Sequence, residues 1–104
     1  MNTYLQKRWS GSVTNPSESD MRTALAELST HDPEHPDCWL SDENGWTIST
    51  NEAGTIVLEN AETDEGPWHI PNSDTDMVLT LWKHLSAGEM ELVRSHPWKS
   101  GYQP

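Results

Sequence analysis

The chain reads as an α+β domain, an antiparallel sheet of about four to five strands with two main helices packed on one face. Three observations lead there. Residues Cys38–Glu59 (CWLSDENGWTISTNEAGTIVLE) split into short β-branched and aromatic runs separated by two Gly-ending turns. Met21, Ala24, Leu25 and Leu28 repeat at helical spacing before them; Met77, Val78, Leu81, Trp82 and Leu85 do so after them. A block of strands flanked by amphipathic helices suits a sheet covered on one side, because each apolar stripe needs an apolar partner.

In chain order, Tyr4–Val13 alternates loosely and is expected to form a first, edge strand, with Lys7 and Arg8 protecting that edge. Asn15-Pro16 punctuates. Ser17 is the expected N-cap of a helix over about Glu18–Ser29, with Asp20 at the third position and acidic charge at the positive end of the dipole. This helix is expected to cover the Trp46/Ile48 face of the sheet. Thr30–Asp37 (THDPEHPD) is a connector holding two prolines.

The meander follows, with strands near Cys38–Ser41, Trp46–Thr50 and Thr55–Glu59. Its register is constrained by parity. A two-residue Asn-Gly turn would set Trp39 opposite Thr50. A three-residue loop, Glu43–Gly45 with Gly45 left-handed, sets Leu40 opposite Ile48 and Cys38 opposite Thr50. The second is preferred, since a one-residue slip exchanges core face for solvent face. Ile56 and Leu58 then join Leu40 and Ile48, while Trp39 stands on the other face with Ser41, Thr47, Ser49, Thr55 and Val57.

Asn60–Pro67 (NAETDEGP) is acidic and turn-like, and Trp68–Pro71 can hold a brief fourth strand. Ser73 is the expected N-cap of the second helix, with Asp76 three residues on and Gly88 at its C′ position. Glu89–Ser95 has material for one or two more helical turns, and Lys99–Pro104 is expected to fray.

At 104 residues the chain is read as a single domain, with six Trp and no Phe supplying its large apolar surface. Six Lys and Arg against 17 Asp and Glu give a formal charge of −11. Such a chain is repelled by phosphate backbones and anionic lipid and attracted to basic proteins. Direct nucleic-acid or membrane binding is therefore not expected. One cysteine, Cys38, suits a reducing compartment, and no run approaches the ~20 apolar residues of a membrane span, so the expected location is the cytoplasm.

Catalytic and metal chemistry find little purchase. His31, His35 and Cys38 are zinc-type ligand residues, yet Pro33 and Pro36 keep one helical turn from presenting both imidazoles and no second ligand pair follows. The chain has no Gly-x-Ser-x-Gly elbow and no Gly-rich phosphate loop, and Cys38 has no basic sequence neighbour. Neither an enzyme nor a cofactor nor a bound metal is expected.

The acidic segment Glu59–Glu65, with Glu59, Glu62, Asp64 and Glu65, is the sharper signal. It reads either as a solvated loop or as a recognition arm, whose carboxylates steer a basic partner while a nearby aromatic anchors it. Trp68 beside it and Trp39 on the open face are the candidate anchors, and Glu43 and Glu52, at the two hairpin loops, extend the candidate patch.

Together, the NP-SESD-MRTALAEL helix start, the CWLSDENGWTIST hairpin and the closing HLSAGEMELVRSHPW, with Gly88 and Trp98, resemble small immunity proteins of bacterial polymorphic-toxin systems. The similar group is the one usually encoded beside nucleic-acid deaminase toxins, and the likeness runs over roughly Tyr4–Trp98. The resemblance implies a cytoplasmic antidote that binds a cognate basic toxin domain and blocks its active site or substrate channel, performing no reaction itself. The alternative reading is an acidic interaction module or adaptor without a toxin partner.

Overall fold

The computed structural model describes residues 2–9 and 11–102. It is α+β, as the patterning requires, but its single antiparallel sheet has seven strands, more than the four to five expected. The strands are β1 (Thr3–Gln6), β2 (Ser12–Thr14), β3 (Asp37–Asp42), β4 (Trp46–Asn51), β5 (Ile56–Asn60), β6 (Trp68–Ile70) and β7 (Lys99–Ser100). Their spatial order is β2-β1-β3-β4-β5-β6-β7. The helices are α1 (Glu18–Glu27), α2 (Thr75–Ser86) and a short α3 (Met90–Arg94).

The extra strands have local causes. Tyr4–Val13 is not one edge strand. It folds back on itself, with Lys7 N–H donating to Gly11 O and Gly11 at φ 84°, so that β1 pairs with both β2 and β3. The expected fraying of Lys99–Pro104 is overturned for Lys99–Tyr102. Ser100 and Lys99 pair with Trp68 and His69, and the Gly101 N–H donates to Pro67 O at 2.9 Å. Gln103 and Pro104 lie outside the described residues.

The meander register follows the parity argument. Leu40 faces Ile48, Cys38 faces Thr50, and Ile48 and Thr50 face Leu58 and Ile56. Leu5, Cys38, Leu40, Ile48, Ile56 and Leu58 are all fully buried on the helix-covered face. The centre of that face is covered by α2, with α1 and α3 packed against α2. The indole N–H of fully buried Trp82 donates to Ile48 O at 3.0 Å, which satisfies its one donor without water.

Both long helices start on side-chain caps. Ser17 and Asp20 form a reciprocal capping box at α1. At α2 the N-cap is Asp74 instead of Ser73: its carboxylate accepts from Met77 N at 2.9 Å, while the Ser73 hydroxyl turns back to Ile70 O. No described helix is long and apolar enough to cross a membrane.

Candidate functional site

The side of the sheet away from the helices carries Tyr4, Gln6, Trp39, Ser41, Thr47, Ser49, Val57 and Glu59, by the alternation of each strand and its register. Tyr4, Ser41, Thr47 and Glu59 form one cross-strand row; Gln6, Trp39, Ser49, Val57, His69 and Lys99 form the next. Trp39 is 37% exposed and Tyr4 38%, so both present aromatic surface to solvent. His69 is the exception on this side. It is buried beneath the C-terminal segment, with Nδ1–H donating to Gly101 O at 2.9 Å.

One end of this face is acidic because two loops are clamped together. The β3–β4 turn and the β5–β6 connection meet at Asn60, which is 3% exposed. Its amide donates to Asn44 O, and its carbonyl oxygen accepts from the backbone of Glu62 and Thr63 at 2.9 and 3.1 Å. Ala61 N–H also donates to Gly45 O at 3.1 Å. Gly45 is required twice over. Its φ is 92°, and a Cβ there would sit 2.6 Å from Asn60 Oδ1.

This clamp brings Glu43, Glu59, Glu62, Asp64 and Glu65 to one end of the molecule. Two of these carboxylates are held by phenols on the open side: Tyr4 Oη donates to Glu43 at 3.3 Å and Tyr102 Oη to Glu59 at 2.9 Å. The bond to Glu59 and its negative charge raise the Tyr102 phenol above its ordinary pKa, keeping it a donor. Glu65 pairs with Arg94 at 3.3 Å. None of Glu43, Glu59, Glu62 and Asp64 has an ion-pair partner among the described residues.

Two sequence candidates stand elsewhere. Trp68 lies on the helix-covered face, opposite Leu58, with its ring 6.4 Å from that of Trp46. The Arg94 guanidinium lies over both rings, at 5.5 and 5.7 Å. Trp68 and Trp39 are thus on opposite sides of the sheet and cannot anchor one contact together. Glu52 follows the last residue of β4 whereas Glu43 precedes its first, a separation of roughly 17 Å along the strand.

Glu52 also has internal work. Its Oε2 accepts from Asp32 N at 2.7 Å and from Arg8, and its Oε1 meets His31 Nδ1 at 2.7 Å. Those contacts, the Asp32 amide foremost, hold its pKa down at about 2. Arg8 does not guard an edge. It is 4% exposed, and its other N–H groups donate to the carbonyls of Glu27, Thr30, Asp32 and His35 at 2.6–3.1 Å. Every donor of the guanidinium is thereby used.

The connector His31–Cys38 therefore wraps a buried cation. His35 pairs with Asp32, and Cys38 is buried with its thiol pushed up to about 12 by desolvation. Among the described residues no three His, Cys, Asp or Glu side chains group as metal ligands would.

Sequence reasoning missed Asn60, Tyr4 and Tyr102. Tyr4 was legible from its parity with Leu5. Asn60 and Tyr102 act through loop–loop and tail–sheet contacts that no local pattern announces. Comparison with protein-family models, with curated proteins and with solved structures gives no match.

Proposed function

We propose that the chain is an immunity protein. It binds a cognate bacterial toxin, a nucleic-acid-targeting deaminase or nuclease, and blocks its active site without carrying out a reaction. The supporting observation is the uncovered sheet face bearing Trp39 and Tyr4, continuous with an end where Glu43, Glu59, Glu62 and Asp64 lack cationic partners among the described residues.

An enzyme that acts on nucleic acid needs a basic groove for the phosphates. A chain of charge −11 with carboxylates beside an aromatic face is complementary to such a groove. Electrostatic steering can bring association to about 10⁸–10⁹ M⁻¹s⁻¹, which matters when a toxin must be caught before it acts. Trp39 supplies the aromatic anchor, and the partly exposed hydroxyl residues Ser41, Thr47 and Ser49 supply donors and acceptors around it.

The test is co-expression. Cells producing a toxin domain of the proposed class, sought beside this gene, should survive only when this chain is present, and the Trp39→Ala variant should lose most of the protection while staying folded. Binding without rescue would assign the chain to the acidic interaction modules instead.

A further inference from the structure

We infer that the open sheet face receives arginine, in preference to lysine, from its protein partner, at two places set by the Tyr4–Glu43 and Tyr102–Glu59 pairs. This deepens the protein-binding reading above and rests on it.

No helix covers this face, since α1, α2 and α3 all lie on the other side; the C-terminal segment covers it at His69 and leaves Tyr4 38%, Trp39 37% and Tyr102 60% exposed. Its charge selects the occupant. Glu43 and Glu59 carry no ion pair among the described residues, and Lys99, a cation on this side, stands on β7, two strands from the strand of Glu59 and one row over. A second copy of the chain would bring like charge against like.

Each pair offers two things at once. The phenol hydrogen bond engages one carboxylate oxygen, Glu43 Oε1 or Glu59 Oε2, and leaves the other for a partner's N–H groups. The same phenol presents a ring face on which a planar cation can stack. A guanidinium uses both, pairing with the carboxylate through its edge and stacking on the aromatic through its face; an ammonium is a strongly hydrated point charge that does neither as well.

Register gives the spacing. Tyr4, Ser41, Thr47 and Glu59 are consecutive across β1, β3, β4 and β5, so the two pairs stand on the order of 14 Å apart. Trp39, diagonal to Tyr4 through Ser41, lies between them and one row over, with an indole N–H that makes no hydrogen bond among the described residues. The partner surface that fits presents two arginines at that separation with an acceptor between them.

The experiment titrates the full chain with hexa-arginine and with hexa-lysine peptides at about 0.15 M salt, reading affinity by calorimetry and location by NMR. Hexa-arginine should bind about tenfold tighter. Signals of Tyr4, Tyr102 and the Trp39 indole N–H should shift. The Glu43→Gln/Glu59→Gln double variant should bring the two peptides within about twofold of each other.

Equal affinity of the wild-type chain for the two peptides overturns the inference, and that arm does not depend on any variant folding. Shifts confined to Glu62–Glu65 overturn it as well. Either result combined with intact co-expression rescue would sink the arginine assignment while leaving the antidote reading in place. Loss of rescue with the arginine preference retained would do the reverse.

Discussion

Arg8 and Glu52 look like free surface charges in the sequence, and both are tied up in contacts within the fold, Arg8 buried and Glu52 half-buried. Arg8 gathers the carbonyls of the connector, and Glu52 closes the ring from the β4–β5 turn. The stability consequence has a definite sign. Glu52 titrates at about 2 when folded against an ordinary 4.5, so its contribution is fully present above pH 4.5 and is lost as pH falls towards 2. Glu52→Gln should therefore lower Tm at neutral pH, and the gap from wild type should narrow between pH 4.5 and 2 in thermal melts. The tryptophans divide in the same way. Trp46, 8% exposed in the core, should cost roughly 3–5 kcal/mol on truncation to Ala. Trp39→Ala should cost about 1 kcal/mol in denaturant titration while removing the proposed anchor of the open face. That difference was readable in advance, because Cys38 and Trp39 are adjacent in a strand and must face opposite ways. The fates of Arg8 and Glu52 were not, since the contacts join three separate stretches of chain, at Arg8, Glu27–His35 and Glu52.

Elements with a strong local pattern were legible from residues alone. The meander register came from where Leu40, Ile48, Ile56 and Leu58 can share a face, and α1 and α2 from their apolar stripes. The short strands were not legible: β2 and β7 hold three and two residues, too few for alternation to show, and exist because β1 and β6 offer open edges. The cap of α2 moved by one residue because Ser73 and Asp74 are both good N-caps, and the Ser73 hydroxyl is engaged with Ile70 O. Asp74→Ala should accordingly destabilise the domain by about 1 kcal/mol, with Ser73→Ala costing distinctly less, in equilibrium unfolding.

For the molecule as a whole, charge and shape act together. The formal charge of −11 is distributed unevenly: Glu18 is engaged by Lys83 and Arg22, and Glu65 by Arg94, while the clamp at Asn60 also collects Glu43, Glu59, Glu62 and Asp64, which have no such partner among the described residues. The acidic arm was legible as composition. Its junction with Glu43 and with the Tyr4 and Trp39 face depends on one buried asparagine, which composition does not reveal. Glu62→Lys combined with Asp64→Asn alters this end with little strain, because Asp64 sits at φ 61, a conformation that Asn tolerates. That variant should fold normally and associate with the proposed basic partner severalfold more slowly, with the largest loss at low salt.

The most direct measurement is the association rate constant between this chain and the toxin domain proposed as its partner, followed from low to high salt for the wild type and for Glu43→Gln/Glu59→Gln. An acidic face that captures a basic partner predicts a steep fall in rate with salt for the wild type, and a slower, flatter dependence for the variant. A rate that ignores both salt and the two carboxylates would contradict the account.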